Sequence, residues 1–179
     1  MSVYSKLFGA AAALVMMAAP ALANDIAVGT VKGIDSDRKE FVLTDAAGKD
    51  STIKFGETLV INRGGKESQS DLKAGDPVNV CYDKGLFTWT AHYILVQEGD
   101  TKDTTLMHGT VKNYDADKKV VTFTDHQAKD WTFPMGDAKV RLNREASTIG
   151  DLKIGDNAMA LVDKVNDRAT LRFLMIERK

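Results

Sequence analysis

The chain says nearly the same thing twice. "GTVKGID" begins at Gly29 and "GTVKNYD" at Gly109, and at a constant offset of 80, residues 29–96 match residues 109–176 at 22 of 68 positions with no gap. The matches include Asp35/Asp115, Asp37/Asp117, Lys39/Lys119, Thr44-Asp45/Thr124-Asp125, Lys49-Asp50/Lys129-Asp130 and "DLKAGD" against "DLKIGD" from Asp71 and Asp151. A repeat in constant register requires two similar units, here 24–97 and 105–179, joined by the polar linker "EGDTKDT" at 98–104.

Each unit reads as short strands between Gly, Asp and Asn turns with no sustained helical period. "TVKGI", "EFVLTD" and "STIKF" are followed by a polar loop, then "VNVCYD" and "TWTAHYILVQE". The turn "DAAGK" puts Gly48 where a left-handed residue is needed, and Ala128 takes that slot in the second unit at a small penalty. The expected fold is all-β: two tandem small five-stranded β-barrels, OB-like or SH3-like. A barrel of this size supplies only a few kcal/mol of net core stability, so packing one against the other is favourable. Met159 and Leu161 alternate with Ala158, Ala160 and Val162, making that strand apolar on both faces. Met159 and Leu161 are therefore expected at a barrel–barrel contact or a homodimer interface.

Residues 1–23 read as a cleaved signal peptide. Lys6 is followed by an apolar run over 7–19, Pro20, and a small-x-small "ALA" at Ala21–Ala23. The run is shorter than the roughly 20 residues of a membrane span, and no later segment is long and apolar enough to form one. The expected location is periplasmic or secreted. Without Lys6 the chain carries 23 basic and 25 acidic residues, a balance that argues against nucleic acid or an anionic membrane as its main partner, since those need a basic face. The single Cys81 cannot form an intrachain disulfide and is expected to be buried.

Soft-metal chemistry is the first functional possibility. "TDHQAKDWTFPM" brings His126, Trp131 and Met135 into one stretch, and Met107-His108 adds a second imidazole–thioether pair; such ligands suit Cu(I). With "GTVKGID" and Lys39, "GTVKNYD" with Lys118 and Lys119, and Gly75-Asp76-x-Val78, each unit resembles the small periplasmic OB-like copper-handling proteins of heavy-metal efflux systems. That resemblance implies copper as the cofactor. The family places a His on its second strand and Trp-x-x-Met-x-Met on its third, whereas this chain has Trp131-x-x-x-Met135 and His126 in a turn. The hairpin register pairs Phe123 with Trp131, which puts Trp131, Phe133 and Met135 on the side of Val121 and Phe123, as core residues.

Elsewhere the chemistry is sparse. Asp35-x-Asp37 and Asp115-x-Asp117 are followed at once by basic residues and read as turn aspartates rather than calcium ligands. No nucleophile elbow, phosphate loop or zinc-protease motif is present, so no catalytic residue and no enzyme activity is expected. His92, replaced by Arg172, reads as exposed. Phe87 and Trp89, beside Tyr82 and Tyr93, form an aromatic platform, and Arg63 and Lys66 sit in the Gly-rich "NRGGK" peculiar to the first unit. Phe87, Trp89, Arg63 and Lys66 are the expected binding residues for a small anion or glycan. The expectation is thus an exported, non-enzymatic binding or interaction module of the cell envelope. The alternatives are a copper-binding protein using His126, Met135, His108 and Met107, and an adaptor docking on another envelope protein through Met159 and Leu161.

Overall fold

The computed structural model describes residues 24–165 and 168–178; the leader expected at 1–23 and Asp167, the counterpart of Phe87, lie outside the described residues. The architecture is all-β. The first sheet contains β1 (Asn24–Asp35), β2 (Glu40–Thr44), β3 (Asp50–Arg63), β4 (Lys66–Ser68), β5 (Pro77–Lys84) and β6 (Trp89–Val96). Its order is β2-β1-β5-β6-β3-β4, and a further β2–β3 pairing closes five of the strands into a barrel. Antiparallel neighbours and one parallel β3–β6 seam give the OB-like of the two expected strand orders.

The second sheet contains β7 (Thr104–Asp115), β8 (Val120–Asp125), β9 (Asp130–Pro134), β10 (Lys139–Leu142), β11 (Glu145–Ser147), β12 (Asn157–Val165) and β13 (Arg168–Ile176). Outside the β10–β11 hairpin, its registers correspond to those of the first sheet at the offset of 80. Val31 faces Leu43 where Val111 faces Phe123, and both β1 and β7 bulge at the next lysine.

The two most strongly repeated motifs repeat because they touch. In each unit the "DLKxGD" turn docks on the "GTVK" strand: Gly75 N donates to Val31 O (2.7 Å) and Val31 N to Asp76 O (2.9 Å), with Gly155, Val111 and Asp156 in the same arrangement. Gly75 and Gly155 have φ of 91° and 89°, a left-handed conformation that favours glycine. Gly29 and Gly109 are required by close approach. A Cβ at either would meet the carbonyl oxygen of Thr44 or Thr124 at 2.3 or 2.0 Å.

The region expected to be a polar loop is strand. β3 runs on to Arg63, with Leu59 and Ile61 buried, and turns through Gly64 and Gly65 (φ 56° and 82°) into β4. Two successive left-handed residues are the geometry of a two-residue hairpin, so "NRGGK" is a tight turn rather than a flexible loop. In the second unit Asn143 and Arg144 adopt the same signs (φ 49° and 73°). That hairpin is offset by 79 rather than 80, because Ile61 lies opposite Ile94 and Val140 opposite Leu174. The gap-free alignment therefore slips by one residue there and recovers by Asp151.

The second barrel is less fully closed. Where β3 is continuous, the second unit breaks at 135–138 into β9 and β10, and only β10 forms a ladder with β13. Pro134 occupies the position of Lys54, which lies on the closing seam of the first barrel opposite Thr90, and proline has no N–H to donate across such a seam. A cavity of about 170 Å³ opens beside the break, lined by Lys119, Met135, Val140 and Ile149 among others.

Three apolar clusters hold the molecule together. One fills each barrel, and a third joins the two: Cys81, Tyr93 and Leu95 from β5 and β6 pack against Leu106, Met159, Leu161, Phe173 and Met175 from β7, β12 and β13. The linker is tied down as well. Thr101 is buried; its hydroxyl donates to Val96 O (2.7 Å) and accepts from Gly64 N (3.2 Å).

Candidate functional site

The tip of the β5–β6 hairpin is the most unusual surface of the molecule. Lys84 pairs with Trp89 at the end of the ladder, and Gly85 N donates to Thr88 O (2.9 Å), leaving Leu86 and Phe87 outermost. Gly85 is needed here, since a Cβ would lie 2.8 Å from Thr88 O. Leu86 is 95% and Phe87 98% exposed. Behind them Tyr82 and Trp89 stack with ring centroids 4.7 Å apart, and the Lys84 ammonium sits 5.4 Å from the Trp89 ring centre. Turn tips ordinarily carry Gly, Asn, Asp or Ser, which satisfy the backbone locally. The second unit conforms, with Asn166-Asp167 at the same place in the sequence. Leu86-Phe87 adds nothing to turn formation and buries nothing within the described residues.

The other half of the expected ligand site lies elsewhere. Trp89 is beside Ile53 on β3, while Arg63 is beside Val96. Seven residues along β6 separate the two, roughly 23 Å at about 3.3 Å per residue. Trp89 and Phe87 therefore occupy one end of the barrel, and Arg63 and Lys66 the other. Lys66 is exposed, but the Arg63 guanidinium is engaged with Asp71, Asp76 and Glu98. Pairing to the Asp76 carboxylate raises its pKa, outweighing the opposing effect of burial.

The expected copper ligands are also dispersed. Met135 is buried in the second barrel's core and Met107 packs against the same core. His126 is exposed in the turn before β9, whereas Met135 follows the far end of that strand, five residues or roughly 16 Å from Asp130. His108 lies on the opposite face of β7 from Met107, paired across the ladder with Met159. The register of Phe123 with Trp131 is as the sequence predicts. Trp131 is half-buried, its Nε1 donating to Asp125 Oδ2 (2.7 Å) and its ring beneath Lys129. Among the described residues no group of three or more His, Cys, Asp or Glu side chains is disposed to hold a metal ion.

The sequence reading missed two arrangements. His92 is half-buried rather than exposed, with Nε2 2.7 Å from Asp83 Oδ2. In the second unit the same place holds Arg172 on Asp163 at 2.8 Å. Burial lowers the His108 pKa, opposed by the negative charges of Asp83 and Asp25 and reinforced by His126. The other omission is Leu86. Its signal was present in the sequence, as two large apolar residues between strands where a turn belongs.

Met159 and Leu161 lie in the cluster between the two sheets, in contact with first-unit residues. Cys81 is in that cluster too, and desolvation pushes its thiol pKa up to about 12. No helix among the described residues is long and apolar enough to cross a membrane. No protein-family model matches the chain, and no curated protein is significantly similar to it in sequence.

Proposed function

We propose that the chain is an exported, non-enzymatic binding module of the cell envelope that engages its partner through the β5–β6 tip. The observation that carries this reading is the near-complete exposure of Leu86 and Phe87 on a hairpin backed by the Tyr82–Trp89 stack. The leader-like residues 1–23 support export. The repeated sequence and matching strand registers support origin by duplication, with one copy acquiring the tip and the other the apolar face that joins the pair.

The test is a photo-crosslinking amino acid placed at position 87 in cells that export the protein, with position 154 as an exposed apolar control. The expected result is an adduct at 87, with a specific protein or with lipid, that the control does not form. No adduct at 87 beyond that of the control removes the reading.

A further inference from the structure

We infer that the β5–β6 tip is a membrane-insertion element: Leu86 and Phe87 enter the headgroup–acyl boundary of a bilayer, with Trp89 and Lys84 at headgroup level. This rests on the binding-module reading, since it names the partner class of the same tip. Two observations favour a lipid surface over a protein. First, two side chains offer roughly 350 Å² of contact, at about 150–250 Å² for a large one. A stable protein–protein interface needs about 800 Å² from each partner. A convex two-residue apolar tip is too small to hold a protein partner by itself, whereas a fluid bilayer needs no complementary pocket.

Second, the residues behind the tip are those that suit a membrane interface. A Trp ring with a polar edge favours the headgroup level, and a lysine stem runs along apolar surface while its ammonium reaches phosphate. Half-buried Trp89 and exposed Lys84 are in ring contact behind Leu86 and Phe87, and Trp89 is seated on Tyr82, which is buried in the core of the first barrel.

The near-neutral charge makes the attachment apolar rather than electrostatic, and a short apolar tip alone gives reversible binding. Binding should be insensitive to salt. The measurement is partition of the purified exported chain, its N-terminus established by intact mass, onto vesicles of phosphatidylethanolamine and phosphatidylglycerol carrying brominated acyl chains. A Trp131→Phe background leaves Trp89 as the single tryptophan, excited selectively at the red edge of the absorption band. The expected result is quenching of Trp89, retained in high salt. Leu86→Asp and Phe87→Asp should each lower the partition coefficient roughly tenfold or more with thermal unfolding unchanged.

Absence of binding by the parent chain overturns the inference, as does binding that survives both substitutions together. Loss of binding in high salt overturns it too. So does a concentration-dependent dimer in lipid-free buffer that Phe87→Asp abolishes, which would make a second copy the occupant. A position-87 crosslink to a protein with no vesicle binding would sink the lipid inference and leave the binding-module reading intact; no crosslink and no vesicle binding would remove both.

Discussion

Arg63 and Arg178 hold the same place in the two units, although they come from different strands. Each guanidinium bonds to the main-chain oxygen of Asp71 or Asp151, and to the carboxylate of Asp76 or Asp156. Arg63 reaches that carboxylate from the end of β3, whereas Arg178 reaches it from beyond β13, where the repeat places Glu98. The position corresponding to Arg63 in the second hairpin is Leu142. The constraint lies in the buried aspartate, which closes the "DLKxGD" turn by accepting from Lys73 N or Lys153 N (2.7 Å each). A buried carboxylate needs a cation, and either neighbouring strand end can supply it.

Arg63→Ala removes the cation facing Asp76 while leaving that carboxylate buried, and is expected to destabilise the protein by about 2–4 kcal/mol. Arg178→Ala acts in the same direction and by less, since Arg178 meets one carboxylate side chain rather than three. Urea denaturation of the two variants, read by the midpoint, checks the order. Equal midpoints for Arg63→Ala and the parent would show that Asp76 needs no partner.

Ala128 and Gly48 form a reciprocal pair. Both are left-handed, at φ of 61° and 78°, in turns closed identically: Asp45 Oδ1 accepts from Ala47 N and Lys49 N, and Asp125 Oδ1 from Gln127 N and Lys129 N. The second unit keeps the turn and tolerates the strain. Ala128→Gly should stabilise by about 0.5–1 kcal/mol, and Gly48→Ala should destabilise by a similar amount. Thermal melts of the two single variants are sufficient, with shifts of opposite sign expected.

His108 gives the protein a pH dependence above the range of its carboxylates. Its folded-state pKa is depressed below 6.5, chiefly by burial, with Asp83 and Asp25 opposing and His126 adding to the effect. A depressed folded pKa contributes stability that is present above the unfolded value and lost as pH falls through the folded one. Urea midpoints should therefore decline on acidification from about pH 6.5 downward, and His108→Gln should flatten that decline. Asp156, held low by the Arg178 hydrogen bond despite burial, adds a separate loss below about pH 4. Asp156→Asn should reduce that second loss, which Asp50, Asp115, Asp125, Asp130 and Asp151 share, and leave the first unchanged.

Cys81 reports on the contact between the two sheets. Buried beside Tyr93, Leu161 and Met159, with its thiol pKa near 12, it should resist a thiol reagent at pH 8 on the timescale in which the unfolded chain reacts fully. Leu161→Asp places an unpaired charge in that cluster and should cost at least about 3 kcal/mol. It should also expose Cys81 in urea concentrations at which the parent protein remains unreactive. Slow labelling in the Leu161→Asp protein under those conditions would mean that the two sheets hold together without the apolar cluster.

What could be read along the chain was what short-range chemistry decides. Strand alternation, the turn at Gly48 and Ala128, the hairpin register of Phe123 with Trp131, and the aspartates of the tight turns all follow from steric limits and hydrogen bonds within a few residues. The repeat at a constant offset showed that both units use them. Tertiary structure decided the rest because the partners are distant in sequence. An apolar strand face announces burial but does not name what covers it, and only the assembled sheets place Met159 and Leu161 against Cys81 and Tyr93. The extension of β3 past Gly56 depends on parallel pairing with β6, thirty-odd residues away. Whether Arg63 meets a ligand or Asp76 depends on a turn that docks from outside its own hairpin. Trp89 and Arg63 looked like one site because both belong to the first unit; β3 and β6 running in parallel carry them to opposite ends of the barrel.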